Sequence, residues 1–560
     1  MKKWCCTAVV VLLVLGGVRI NAEEFSWQKT YAKISSKGDI EWSPKPFSFE
    51  KGDSVRYIDY EDGDDSNNGL TRDTPWKHHP WDPQASGNAK QCKGIHTYIF
   101  KRGVYYRGTM NALESGRKGN PIRLTSDPAW GTGEAVISGG YRIAGGWKKG
   151  ASNKNIPEPD KIWHIDLDFA PRTVYLVEPS GRSASKNDKI TRIPLARMPN
   201  WKVSNPEDVK SEWWCWDNPG HPYFNLTMKA EKSGRVLAMG KDTKHITGPK
   251  ELYMGAILWA EFGWVDGTPY PSYIQGFDAE KRALGFEGYL GSAKSRIINR
   301  GHRYYLEDKP HYLDDPEGEY WFEKDRTGGR LHIILPNGQN PNTAIIEAGK
   351  EATLVDLTGQ STGRLTVEHI VVSGLTFRFT NVAWNLTEVP WLYSQKFRLK
   401  RHIYPACIRV WGPADDITIA NCKFEHINNG VLMKAVNPGD RIDNIIIRDC
   451  EFRDTDHNGI SIEEGLLWGD TLPDRAGHLY DVNILRNYLY RTGLRSPRVG
   501  AADAINVDNA QTLEVAGNVV ERSWHAGINV RGAKISGNVR DCPLTRILIY
   551  QNKVTDSIRT

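Results

Sequence analysis

Apolar and polar residues alternate in three short segments late in the chain: GISIE at Gly459–Glu463, AINVD at Ala504–Asp508 and GINVR at Gly527–Arg531. A strand turns successive side chains to opposite faces. Ile460/Ile462, Ile505/Val507 and Ile528/Val530 therefore point one way, and their polar neighbours point the other. Ile408/Val410 in CIRVW and Val431/Met433 in GVLMK extend the series backwards. From Leu365 onward these segments recur with β-branched runs such as ITIA and NIIIRD, each followed by a polar turn. Gly374, Asn421, Asp449, Asn487, Asn518 and Asn552 align as one turn column, at intervals of 28 to 47 residues. Period-two alternation predicts short strands, and no amphipathic helix fits between them. A long-period repeat of such strands predicts a solenoid whose units bury their apolar faces only by stacking. The expected fold is all-β: a right-handed parallel β-helix, with stacked amides at the Asn/Asp bend.

The pattern also divides the chain. Residues 1–22 read as a signal peptide, with Lys2 and Lys3, an apolar run from Ala8 to Val18, and Ala22 before a polar stretch. That run is shorter than the roughly 20 residues needed to span a bilayer, so a secreted or periplasmic protein without membrane insertion is expected. Residues 23–140, with TYIFKRGVYYRGTM and GNPIRLTSDPAW, read as the first coils. The rhythm is lost over 141–349, which reads as an inserted all-β domain with a sandwich as its candidate form. Residues 350–560 form the main β-helix, which ends in mid-coil and so reads as truncated or uncapped.

Composition narrows the function. The 73 basic and 67 acidic residues leave a net charge of +6, a mixed surface that gives no reason to expect nucleic acid as partner. Neither a phosphate-binding glycine loop nor zinc-site spacing is present, which sets aside nucleotide and metal-redox enzymes. Cys92, Cys215, Cys407, Cys422, Cys450 and Cys542 remain after signal removal, too few for a disulfide scaffold; Cys422 and Cys450 are expected as stacked thiols. The stretch DGDDSNNG at Asp62–Gly69 reads as a turn, because it lacks the glutamate of a calcium loop. The 20 tryptophans suit core packing or sugar stacking, and both readings stay open for Trp213, Trp214 and Trp216.

The outward positions of the alternating strands make two columns. One reads Trp411, Lys434, Glu463, Asp508, Arg531; the other reads Arg409, Leu432, Ser461, Asn506, Asn529. Consecutive rungs lie about 4.8 Å apart, so Glu463 and Asp508 are the candidate catalytic pair for cleaving a glycosidic bond. Trp411, Lys434, His457, Asp503, Asn506, His525 and Arg531 are the candidate substrate-binding residues. The loop from Glu464 to Tyr480, with Trp468 and Asp470, could wall the cleft. The competing reading is a charge ladder that stabilises an exposed sheet.

The motifs DGDDSNNGLTRDTPW, VYYRG, LARMPNW, RYYLEDKPHYLDDPEGEYWF, LHIILP and VVSGLTF together resemble, in order and in kind, the exported β-helix proteins grouped as glycoside hydrolase family 141. The resemblance implies a pectin-lyase-like fold and action on polysaccharide or oligosaccharide, with no cofactor. Fold analogy leaves two alternatives. One is a polysaccharide lyase, with Lys434 as base, Arg531 on a uronate carboxylate, and calcium held by Glu463 and Asp508. The other is a non-catalytic carbohydrate-binding protein.

Overall fold

The computed structural model describes residues 29–181, 185, 188–201, 212–218, 226–262, 265–287, 298, 300–325, 328–358, 367–382, 404–436, 440–464, 479–495, 503–532 and 546–557. The signal expected at residues 1–22 lies outside them. Nearly all described elements are strands; the α-helices Gly87–Gln91 and Lys250–Tyr253 hold 5 and 4 residues.

Three parallel sheets of seven, nine and eight strands carry the repeat, and the chain visits them in fixed order. Ile408–Trp411 joins the first sheet, Ala414–Ala420 the second and Lys423–Ile427 the third. Val431–Ala435, Ile442–Arg448 and Glu451–Thr455 then do the same, as do three further sets ending at Lys553–Thr555. The earlier strands Met110–Asn111, Ile122–Gly131 and Val136–Ser138 pair into the same three sheets. Alternation explains the stacking. Ile417 pairs with Ile445, which pairs with Val482, while Ile419, Ile447 and Ile484 stack beside them, all fully buried in one core. In the third sheet the rings of Phe377, Phe424 and Phe452 stack at 4.8 and 4.5 Å, each contact adding about 0.5–1.5 kcal/mol beyond its burial.

The turn column differs from its predicted register by one residue in its later half. Strand pairing aligns Gly374, Asn421 and Asp449 with Arg486, Gly517 and Gln551, all at positive φ. Asn487, Asn518 and Asn552 fall one place later, in line with Cys422 and Cys450. The reason is hydrogen bonding: at that place an amide reaches back to the rung before. Asn518 Oδ1 accepts from the Asn487 amide at 2.9 Å, and Asn552 Oδ1 accepts from the Asn518 amide at 2.9 Å. Asn487 Oδ1 accepts in turn from the Cys450 amide at 3.0 Å. Leaving such a buried donor unmet would cost about 1–3 kcal/mol. Cys422 and Cys450 are stacked free thiols, and burial pushes the Cys450 thiol well above its ordinary pKa.

Residues 29–50 run along this column from the last rung towards the first. The Tyr31 amide donates to Gln551 Oε1, Trp42 Nε1 to the Arg486 carbonyl, and the Lys45 amide to Asp449 Oδ1, each at 2.8 Å. The Phe47 ring closes over Gly374, where a Cβ would meet it at 2.6 Å.

Strands from Gly140–Ile143 to Ile345–Gly349 pair antiparallel. Two four-stranded sheets share a core of Val174, Leu176, Ile193, Leu331, Ile333 and Ile346. The outer face of one rests on the third parallel sheet through Tyr175, Val177 and Phe379. An eight-stranded sheet lies over the first parallel sheet, where Ile257, Trp259 and Tyr305 pack on Leu432, Tyr404 and Trp411. The antiparallel region thus straddles the corner between those two parallel sheets.

Candidate functional site

The two outward columns take the register that alternation predicts. Trp411 pairs with Lys434, Lys434 with Glu463, Glu463 with Asp508, and Asp508 with Arg531. Arg409, Leu432, Ser461, Asn506 and Asn529 run beside them in the same pairings. Ile460, Ile462, Ile505 and Val507 are fully buried on the opposite face, which fixes the direction of every neighbour.

This face is not the exposed sheet that the charge-ladder reading assumed. Lys434, Glu463, Asn506 and Asp508 are all buried, although they point away from the repeat core. On the Leu432 and Trp411 side the cover is the antiparallel sheet. Lys434 Nζ lies 4.4 Å from the Tyr404 ring centre and 5.9 Å from that of Trp411.

The side chains form one connected network. Lys434 Nζ donates to Glu463 Oε2 at 3.1 Å, and Ser461 Oγ donates to Glu463 Oε1 at 2.7 Å. Asn506 Nδ2 reaches Ser461 Oγ at 3.2 Å, and Asn529 Nδ2 reaches Asn506 Oδ1 at 3.1 Å. Asn529 also donates to Asp503 Oδ2 at 2.9 Å, and Asp503 Oδ1 sits 2.5 Å from His525 Nδ1. Asp508 Oδ2 pairs with Arg531 at 3.1 Å. Both Glu463 oxygens therefore accept, as an ionised carboxylate does.

Of the nine predicted site residues, the network joins Lys434, Glu463, Asn506, Asp503 and His525. Asp508 and Arg531 form the adjoining pair, and Trp411 stands next to Lys434. His457 belongs to the corner instead, buried with Nδ1 3.3 Å from Asn429 Nδ2. Ser461 and Asn529 were placed in the right column by the sequence, yet their part in the network appears only with side-chain geometry. Residues 465–478 of the loop predicted as a wall, with Trp468 and Asp470 among them, lie outside the described residues.

Residues distant in sequence supply the cover. Arg192 forms a paired salt bridge with Asp456, with Nη2 to Oδ2 at 3.2 Å. Glu307 accepts from Trp259 Nε1 at 2.8 Å and pairs with Arg495. The tryptophan cluster divides. Trp213 packs against Tyr305 at 4.7 Å with the rings tilted by 59°, and it approaches Trp524 at 6.4 Å, facing the parallel sheet. Trp216 stacks on Tyr304 at 3.6 Å inside the antiparallel core, and Trp214 stacks on His245 at 4.7 Å.

The calcium of the lyase reading finds no ready site among the described residues. Glu463 and Asp508 each hold a basic partner, and no described group of three or more His, Cys, Asp or Glu side chains could hold a metal ion.

No protein-family model matches the chain, and no curated protein matches it. A solved structure titled "The complex structure of XylC with xylose" is 10% identical, over 83% of this chain and 60% of that one, with a TM-score of 0.40. A structure titled "Glycoside hydrolase" is 16% identical over 84% of this chain and 77% of its own, with a TM-score of 0.52. At that identity the likeness is one of fold: the three parallel sheets and their antiparallel cover are similar to the architecture of a glycoside hydrolase.

Proposed function

We propose that the protein is a secreted carbohydrate-active enzyme, a glycoside hydrolase that cleaves polysaccharide on a right-handed parallel β-helix. One observation carries the reading: the charge order Lys434, Glu463, Asp508, Arg531 along a single column. A ladder built for stability would alternate sign on every rung. Here two carboxylates are register partners, which destabilises a strand pair, and a cation stands only on the outer side of each. Such a pair is useful to acid–base chemistry at one bond.

Neighbouring rungs lie about 4.8 Å apart, near the roughly 5–5.5 Å carboxyl spacing of retaining hydrolases and short of the roughly 6.5–9.5 Å of inverting ones. Each carboxylate has a cation on its outer side, so the two roles divide between them: one attacks the anomeric carbon as the ionised partner, and the other protonates the leaving oxygen and afterwards draws the proton from water. The fold of the similar glycoside hydrolase supports the class of reaction.

The test is a polysaccharide panel with the purified protein, read by product mass, anomeric configuration and ultraviolet absorbance. Saturated products with retained configuration are expected, and they should vanish with Glu463→Gln or Asp508→Asn. Unsaturated products, lost with Lys434→Ala, would replace this reading with the lyase. Binding without any product would replace it with the carbohydrate-binding protein.

A further inference from the structure

A cavity of about 1240 Å³ opens between the antiparallel region and the third parallel sheet, and none of the nine predicted site residues lines it. On the parallel-sheet side it is lined by His426, Asp454 and Arg491, which occupy equivalent places on three consecutive rungs. Trp163, Trp201 and the edge strand Lys189–Ile193 contribute from the antiparallel region.

The described lining of the cavity shares no residue with the network from Lys434 to His525 or with the Asp508–Arg531 pair. Arg192 on its wall is held by Asp456, and Trp213 packs on Tyr305 beside Trp524. Behind Arg192 and Trp201 the open space falls to about 30 Å³, room for a water or two and not for a sugar ring.

We propose that this cavity is a second carbohydrate site, taking a neutral oligosaccharide and independent of Glu463 and Asp508. Its volume exceeds the roughly 300–1,000 Å³ of pockets for a single drug-sized ligand, which suits an oligomer. Trp163 and Trp201 line it half-exposed, each ring held by a cation, Lys149 and Arg192 respectively, at 5.9 Å. Indoles fixed in this way offer flat apolar area to the C–H face of a sugar. Polar groups are pre-set by ion pairing: Arg491 is held by Asp454 at 2.6 Å with both side chains largely buried. Pre-set groups lose little freedom on binding hydroxyls. Five lysines and arginines face six aspartates and glutamates around the lining. That balance gives no field to gather a polyanion, and it separates this site from a uronate or nucleic-acid groove.

The experiment is calorimetric titration of the full-length Asp508→Asn protein, which should not consume its ligand. The probes are cellohexaose, xylohexaose and mannohexaose, with an oligogalacturonate as charged control. At least one neutral hexasaccharide should bind. Trp163→Ala and Trp201→Ala should each weaken that binding at least tenfold, and Lys118→Ala, at an exposed turn outside the cavity lining, should leave it within twofold. Gln339→Trp, which fills the cavity from its surface loop, should weaken it equally and guards against misfolding of the core variants. Failure of all three hexasaccharides to bind, insensitivity to the three cavity variants, or preference for the oligogalacturonate would overturn the proposal. Each outcome is read without turnover, so loss of the hydrolase reading would leave this result standing.

Discussion

Glu463 and Asp508 are register partners on neighbouring parallel strands, with Lys434 beyond one and Arg531 beyond the other. Like charges placed opposite each other destabilise strand pairing. Asp508→Asn removes that repulsion while Arg531 remains half-exposed to water, so its thermal midpoint should match or exceed the parent's. Turnover should nevertheless fall by about 10²–10⁴, the usual contribution of a positioned acid or base. Kinetics on the active polysaccharide, beside thermal unfolding of the same sample, checks both. A variant that turns over normally would remove Asp508 from the mechanism.

Ser461 holds Glu463 from a fully buried position. A hydrogen bond to a charged group contributes about 1.5–3 kcal/mol. Ser461→Ala should therefore lower kcat by roughly 10- to 100-fold, with KM changed little and the fold intact. Ser461→Thr should restore part of the loss. An unchanged kcat for Ser461→Ala would leave Ser461 with a packing role only.

Period-two alternation made much of the parallel architecture legible. Ile460/Ile462 and Ile505/Val507 by themselves set the facing of Glu463 and Asp508, because a strand leaves no third direction. The turn column was less legible: Asn421 and Asp449 look like Asn487 and Asn518 in sequence, yet the first two lie in the positive-φ turn and the last two in the amide ladder. Asparagine suits both places, so only strand pairing separates them. The cover over the site was illegible for a different reason. Arg192 and Asp456 lie 264 positions apart, and no local pattern encodes such a contact. The same holds for Trp213 and Trp524.

Asp308 gives the structure a stability term that depends on pH. Burial, then the charge of Glu307, raises its carboxyl from the ordinary value to about 6. The folded state therefore holds a proton that the unfolded state releases near pH 4. Stability from this group is fully present below pH 4, falls as pH rises to about 6, and is flat above. Asp308→Asn should remove that slope and stabilise the protein at pH 7 by about 1–2 kcal/mol, since part of the side chain remains wet. Asn also tolerates the φ of 67° at this position. Urea midpoints at pH 4, 5, 6 and 7 test it; parallel curves for parent and variant would refute the assignment.

Arg192 and Asp456 pin the antiparallel region to the corner of the parallel sheets. Asp456 is 1% exposed at its side chain and Arg192 is 14% exposed, so solvent screens the pair little. Removing one partner of a buried pair typically costs about 3–5 kcal/mol, because the other charge stays behind. Arg192→Met alone should therefore be strongly destabilising. Arg192→Met with Asp456→Leu should recover most of the loss, since well-packed apolar replacements of a buried pair are often neutral or better. The clamp also makes a prediction about cooperativity. Antiparallel and parallel regions have separate cores, so loosening their joint should split denaturation by urea into two steps. Tryptophan fluorescence and far-ultraviolet circular dichroism would then give different midpoints for Arg192→Met and a single midpoint for the parent. Coincident midpoints in the single variant would mean that contacts such as Arg495–Glu307 carry the coupling instead.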